Sequence, residues 1–401
     1  MPERRRILVL NSISPNGLKR FPATRYLVGP QVGEPEAILV RSQDMLQMEI
    51  PATVRAIGRA GAGTNNIPVE AMSRRGVPVF NTPGANANAV KELVLAALLI
   101  GARNLVPAIR FTDALDGDDA TLHKRVEEGK KKYAGFELPG RTLGVVGLGA
   151  IGSLVADAAI RLGMRVVGYD PEITVDAAWS LPAQVRKAHS LEELLKLADF
   201  VTVHVPLLEG TRNLMNAARV QRMKPGSVLL NFAREGIVDP EAVAAGLAEE
   251  RLRYFITDFP HPRLQRHPRV VALPHLGAST AEAEENCAVM VVDQVMDYLE
   301  NGNIVNSVNF PLAVMGRESP FRIAVANRNV PNMVGQMSTA MARAGLNIHN
   351  MLNKSRGETA YTVVDLDSPP PEAVIAEIAA IPGVLTVRYL PQRADDVEAV
   401  A

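Results

Sequence analysis

The sequence predicts an α/β protein in which two doubly wound parallel-sheet domains precede a small α+β domain. Three observations carry that expectation. Short apolar runs recur between turn residues through the first 90 positions. From Arg141 onward, strand-like and helix-like segments alternate strictly. Beyond Pro320 the order becomes strand, helix, strand, strand, helix, strand. At 401 residues the chain is too long for one ordinary core, and its 47% hydrophobic content lets each domain bury a core of its own.

The elements follow in order. Runs at 7–10, 37–40 and 77–80 are apolar throughout and 54–58 is apolar but for Arg55, close to what strands buried on both faces of a parallel sheet should show. Residues 90–105 carry a long apolar helix pattern that ends before Pro107. The charged stretch 113–132 lacks sustained periodicity and reads as a solvated helix or connector. Strands at 142–146, 165–169, 200–204, 227–231, 254–257 and 270–272, with helical segments between most of them, make a Rossmann-like sheet. Ser279 and Glu282 form a capping-box pair opening a helix that runs to about Tyr298. After Pro311, the expected elements are strand 321–326, helix 333–344, strands 346–352 and 360–367, helix 371–380 and strand 384–389. That βαββαβ order is ferredoxin-like.

Charge and cysteine content narrow the function. Forty-three Lys and Arg balance 43 Asp and Glu, so no global field favours nucleic acid or a membrane surface. An anionic small molecule would have to be caught by local basic residues. Cys287 is the single cysteine, which excludes a disulfide framework and a cysteine-built metal site and fits a reducing compartment; no metal is expected. No apolar run approaches the roughly 20 residues of a membrane-spanning helix, and 7–10 is too short for a signal core. The expected location is the cytoplasm.

The segment Val145-Val146-Gly147-Leu148-Gly149-Ala150-Ile151-Gly152 places G-x-G-x-x-G between a strand and a helix. Gly147 permits the tight turn, Gly149 lets backbone approach a pyrophosphate, and Gly152 lets helix and strand pack closely. The first helical N–H groups, near Ala150 and Ile151, then face the phosphates. The next strand ends on Tyr169-Asp170. A carboxylate there accepts ribose hydroxyls and repels a 2′-phosphate, which points to NAD rather than NADP. A bare glycine turn with a surface aspartate is the simpler alternative.

Oxidising a hydroxy acid needs a base for the hydroxyl proton and a cation for the carboxylate. His275, in Leu273-Pro274-His275-Leu276-Gly277, and Arg234, in Asn231-Phe232-Ala233-Arg234-Glu235-Gly236, both follow strands. Carboxyl ends of parallel strands are where open α/β sheets bind ligands. Imidazole can take and return a proton near neutrality, and a guanidinium can hold a carboxylate through two bonds. Position alone does not decide this, because isolated residues there are more often structural hydrogen-bonders.

Residues Gly147 to Gly152, His204-Val205-Pro206, Met223-Lys224-Pro225-Gly226, Asn231 to Gly236 and Pro274 to Thr280 together resemble the ordered signature of the D-isomer-specific 2-hydroxyacid dehydrogenases. The likeness covers about residues 37–311. It implies that Arg234 orients the substrate carboxylate, that His275 is the acid/base, and that Asp258 lies by the nicotinamide carboxamide. It also places His204, Val205, Pro206, Phe232, Ala233 and Gly277 around NAD. The implied domains are a discontinuous flavodoxin-like substrate domain (1–89 and 278–311) and an NAD domain (90–277). One feature departs from the family, whose members mostly carry a glutamate a few residues past that aspartate to bond the histidine. Here 259–266 contains no carboxylate. Asp258 itself, Glu282 or Glu284 could take over that role.

Arg41-Ser42 and Arg59-Ala60-Gly61-Ala62-Gly63 resemble the family's phosphoglycerate branch, in which two arginines and glycine-exposed N–H groups would hold a phosphorylated 2-hydroxy acid. Residues 320–395 resemble an ACT domain, an amino-acid-sensing module. That likeness implies that Asn327, Asn329 and Asn347 contact an effector, serine, across a dimer of modules in a homodimer or homotetramer. A hydroxypyruvate or glyoxylate reductase and a non-catalytic NAD-sensing scaffold are the competing readings.

Overall fold

The computed structural model describes residues 4–11 and 13–392. These form two compact units, one from residues up to 85 together with 284 onward, the other from residues 86–283.

The first unit opens with β1 (Arg5–Leu10), β2 (Tyr26–Gly29), β3 (Ala37–Val40), β4 (Ala56–Arg59) and β5 (Val79–Phe80). All pairings are parallel, in the order β2-β1-β3-β4-β5. Residues Ala37 to Val40 are fully buried, which is why that strand is apolar at every position. The edge strand β2 has no counterpart among the apolar runs read from the sequence. It is four residues long and Leu27 lies exposed on it. From residue 284 the helix Ala281–Asn301 packs across this sheet with Val291 and Val295. A Cβ at Gly58 would come within 2.6 Å of Val291, so glycine sets how closely helix and strand approach.

The second unit holds seven parallel strands: β6 (Thr142–Val146), β7 (Arg165–Tyr169), β8 (Arg186–Lys187), β9 (Phe200–Val203), β10 (Ser227–Asn231), β11 (Leu252–Thr257) and β12 (Val270–Ala272). Their order, β12-β11-β10-β9-β6-β7-β8, reverses direction at β6 and leaves a crevice at its carboxyl end. The apolar helix pattern at 90–105 becomes two helices, Ala87–Arg103 and Leu105–Asp113, bent by 68° at Asn104. Asn104 adopts φ +52°, and Pro107 sits in the first turn of the second helix, where its missing N–H costs nothing. The charged stretch contains a solvated helix, Asp119–Gly129. The expected Ser279 cap is shifted by one residue: the Thr280 hydroxyl accepts from Ala283 N–H at 3.1 Å. No single helix of the described residues is long and apolar enough to cross a membrane.

The first unit also contains the antiparallel sheet of β13 (Phe321–Arg328), β14 (Ile348–Arg356), β15 (Thr359–Leu366) and β16 (Val384–Pro391), ordered β14-β15-β13-β16. With helices Met333–Arg343 and Glu372–Ala379, it is ferredoxin-like as expected. Positions 393–395 of the expected domain lie outside the described residues. Both faces of the sheet are covered. Ile323, Val325 and Val364 meet Met337 and Met341 on one side, while Ala324, Ala326 and Tyr361 pack with Tyr298 and Phe310 on the other. Arg322 and Asp365 are fully buried and joined by two bonds of 2.6 and 2.8 Å. The remaining guanidinium donors reach the carbonyls of Asn301, Met315 and Gly316. Every donor of this buried cation is therefore satisfied.

Candidate active site

In the second unit, six of the seven strands deliver a candidate residue to one edge. Gly147 follows β6 with φ +89°, and a Cβ on it would meet the His204 carbonyl at 2.6 Å. A Cβ on Gly152 would meet the Gly147 carbonyl at 1.9 Å. Both positions thus require glycine for close packing. Gly149 differs, since a Cβ there would meet nothing within 4 Å. It caps the helix Ala150–Arg161 without a side-chain bond, so the first N–H groups, including those at Ala150 and Ile151, await an anion. That open cradle fits a dinucleotide pyrophosphate.

Asp170, just past β7, accepts from Leu148 N–H at 2.8 Å and from Glu172 N–H at 3.0 Å. It therefore braces the glycine turn, and each oxygen keeps a lone pair for a ribose hydroxyl. After β9, the His204 ring bonds the Thr202 hydroxyl through Nε2 at 2.9 Å, and its Nδ1 is buried without a partner. Burial pushes this histidine down to about 4, so it is neutral near pH 7. Val205 lies against Gly147, and Pro206 is exposed beside it.

The turn after β10 is organised by Asn231. Its side chain accepts from Ala233 N–H at 3.1 Å and donates to the Arg234 carbonyl at 2.9 Å. Phe232 and Ala233 are buried beneath, and Arg234 is exposed. Asp258, after β11, is 1% exposed. One of its oxygens accepts from Gly277 N–H at 3.0 Å, and the other, Oδ1, is buried without a partner. Burial pushes the Asp258 carboxyl up, while the Gly277 bond and the charges of His275 and Arg234 pull it back. Arg234 and His275 therefore both lie close enough to this carboxylate to act on it electrostatically. The His275 backbone N–H donates to the Asp258 carbonyl at 2.9 Å, and His275 adopts φ +46°. The 275–277 loop is thus pinned to Asp258 at two points. The His275 ring is exposed and lies 4.9 Å from the Phe259 ring, tilted by 58°. Within its own unit no described residue forms an ion pair or hydrogen bond with that ring. Thr202 and Phe259 were not singled out from sequence, and Asn231 stood there only as the first residue of a motif. Of these, Asn231 had a readable signal, a polar amide closing an apolar strand before a turn.

In the first unit, Arg59 closes β4, and Arg41 follows its neighbour β3, where Val40 pairs with Arg59. Arg41 bonds Glu284 at 2.6 Å, so the Glu284 carboxylate is engaged. Arg59 Nε donates to the Arg41 carbonyl at 3.1 Å, and its guanidinium lies over Gly61, where a Cβ would come within 1.8 Å. Gly61 needs its φ of +145° and its bare Cα for that contact. Gly63 is half-buried in the same turn, and Ser42 is exposed. Asn327 is 1% exposed with Oδ1 unpartnered, whereas Asn329 is exposed and donates to the Gly357 carbonyl at 3.0 Å. Asn347 lies beyond the other end of the sheet, its N–H on Asp367.

A nucleotide cradle beside a cation, a carboxylate and an imidazole defines a dinucleotide-dependent oxidoreductase site, and similarity to known proteins places it. The model of the NAD-binding domain of D-isomer specific 2-hydroxyacid dehydrogenases matches residues 109–277. The D-3-phosphoglycerate dehydrogenase of Haemophilus influenzae is 33% identical over 347 residues, covering 84% of this chain and 81% of the relative. That of Escherichia coli K12 is 32% identical, with 84% and 81% covered. The solved NAD+-bound 3-phosphoglycerate dehydrogenase of Entamoeba histolytica superposes with TM-score 0.58 at 25% identity, over 76% of this chain and 99% of that one. This chain belongs to the D-isomer-specific 2-hydroxyacid dehydrogenase family. It is an NAD-dependent enzyme of the phosphoglycerate dehydrogenase type.

Proposed function

We propose that the chain oxidises 3-phospho-D-glycerate to 3-phosphohydroxypyruvate, the step that commits carbon to L-serine. The observation that carries the chemistry is the joint placement of Arg234, Asp258 and His275 at adjacent strand ends, with the guanidinium and the imidazole both close to one buried carboxylate. Arg234 binds the substrate carboxylate and polarises the reacting carbon. His275 removes the hydroxyl proton during oxidation and returns it in reduction. NAD, when bound, accepts the hydride. Gly149, Ala150 and Ile151 hold its phosphates and Asp170 its ribose. Asp258 Oδ1 is left for an amide donor, which supports its assignment to the carboxamide. His204, Val205, Pro206, Phe232, Ala233 and Gly277 complete the binding surface.

The phosphate reading rests on Arg41 and Arg59 emerging from paired strands, with Ser42, Gly61 and Gly63 around them. The names of the relatives favour it over hydroxypyruvate or glyoxylate reduction. We assign residues 320–395 to an ACT-type module that senses an amino acid, serine, in a homodimer or homotetramer. The domain assignment follows the same division: 1–89 with 278–311 for substrate, 90–277 for NAD.

Initial rates with 3-phosphoglycerate, D-glycerate and glyoxylate test the reading. A preference for 3-phosphoglycerate is expected, and equal or better rates with the unphosphorylated acids overturn it. Arg59→Ala should raise the Michaelis constant for the phosphorylated substrate by about ten- to a hundredfold and leave D-glycerate little changed. Equal losses for both would make Arg59 a structural or carboxylate-binding residue.

A further inference from the structure

Within the first unit, a cavity of about 120 Å³ separates the early parallel sheet from the C-terminal module. Its walls are Arg55, before β4; Arg75 and Gly76, before β5; Tyr298, on the long helix; and Thr386 and Arg388, on β16. We propose that this cavity binds a small oxyanion of the phosphate class, at a site separate from Arg41 and Arg59. The inference goes beyond the function proposed above and does not rest on it.

Charge is the first argument. Among the described residues, the one carboxylate within ion-pair distance of these arginines is Glu36, and it serves Arg5 at 2.7 Å while standing 4.0 Å from Arg55. Three guanidinium groups thus line one cavity with no carboxylate committed to it. Burial, and after it the neighbouring Arg388, hold the Arg55 guanidinium below its ordinary range, and the distant Glu36 only partly offsets them.

Donor supply is the second argument. Arg75 donates to the carbonyls of Ile50 and Pro51, and Arg388 to those of Tyr298 and Leu299. Each guanidinium carries five N–H donors, so each is anchored on backbone and keeps donors in reserve. Arg388 is further fixed with its guanidinium 4.5 Å from the centre of the Tyr298 ring. A tetrahedral oxyanion offers acceptors in several directions and can be approached from all three elements, which a planar carboxylate cannot match.

Shape is the third argument. Gly76 has φ +70°, and a Cβ on it would come within 2.8 Å of Thr386. The turn carrying Arg75 therefore lies directly against β16, and an anion here would bridge the substrate sheet and the module.

Titration calorimetry of the full chain with inorganic phosphate, against chloride at matched ionic strength, tests the proposal. One binding event is expected that persists in Arg59→Ala and weakens by about tenfold or more in Arg55→Gln. Arg55 is half exposed, so its removal should leave the fold intact, which a thermal melt checks. Arg55→Lys, which keeps the charge and loses the fork, should bind between the two. Binding unchanged in Arg55→Gln, binding lost only in Arg59→Ala, or no heat beyond the chloride control overturns it.

Discussion

The second unit and the C-terminal module treat their polar residues in opposite ways. In the parallel sheet every strand runs the same direction, so Gly147, Asp170, His204, Arg234, Asp258 and His275 arrive at one edge within one chain. In the antiparallel module successive loops alternate between ends. Asn329 follows β13 where Arg328 pairs with Thr359, and Asn347 precedes β14 where Ile348 pairs with Leu366. Eight strand residues lie between those ends, about 25 Å at 3.3 Å per residue. Satisfaction differs as well. The second unit leaves His204 Nδ1 and Asp258 Oδ1 buried and unpartnered at its site edge, whereas the module completes every donor of Arg322 and leaves Asn327 Oδ1 without a partner. A parallel sheet gathers the residues after all its strands at one mouth, whereas an antiparallel one divides its loops between two ends.

The largest expected effect tests the gathered edge. His275→Asn should lower kcat/KM by about 10²–10⁴-fold, the contribution of a positioned acid/base. Asparagine tolerates the left-handed backbone that His275 adopts, so the melting temperature should hold. Surviving turnover would remove His275 from the chemistry. In the module the corresponding test is thermodynamic. Arg322→Ala strands the buried Asp365 carboxylate and should cost about 3–5 kcal/mol in urea unfolding. NAD affinity should not change, and a loss below about 1 kcal/mol would mean the pair contributes little.

A pH series sharpens the contrast in satisfaction. The unfolded chain protonates His204 near pH 6.5, and the folded one only near 4. Between those values the unfolded state binds more protons, so stability falls as pH falls, by up to about 3 kcal/mol from this residue. Asp258 acts with the opposite sign: its raised carboxyl favours the folded state at low pH, an advantage lost as pH rises through its folded value. The difference between the unfolding curves of the wild type and His204→Gln isolates the histidine. If the two curves run parallel from pH 6.5 to 4, the ring is not held neutral by burial.

Much of this was legible before any coordinates. Strands buried on both faces announce themselves as largely apolar runs: β3 is unbroken, while β6, β9 and β10 are buried throughout and interrupted only by Thr142, by Thr202, and by Ser227 and Asn231. The glycine turn and the residues after each strand followed from the same pattern. What escaped depended on long-range partners or on single backbone dihedrals. The Arg41–Glu284 bond joins residues 243 positions apart, and nothing near either one announces it. The bend at Asn104 rests on one left-handed residue inside an apolar pattern that reads as continuous. Asp170 looks like a ribose ligand from sequence, yet its two backbone bonds show that it also braces the turn.

The smallest effect on stability bears on the spread asparagines. Asn329→Ala removes a single exposed bond to Gly357 and should cost about 0.5–1.5 kcal/mol or less. Its effect on the proposed effector site should be total. If serine is held by Asn329 of one copy and Asn347 of another, each pocket of a paired module draws one residue from each chain. Asn329→Ala and Asn347→Ala homodimers should then bind no serine by calorimetry. A mixed dimer of the two variants has one pocket carrying both substitutions and one carrying neither. Mixing the variants after dissociation should therefore restore binding, at one site per mixed dimer. If the mixture stays silent while the wild type binds, the two asparagines do not share a pocket. If either single variant still binds serine, the sheet ends are not the sensing surface, and the module keeps the structural role in which its buried Arg322 and Tyr361 anchor it to the carbonyls of Asn301 and Gly302 at the end of the long helix.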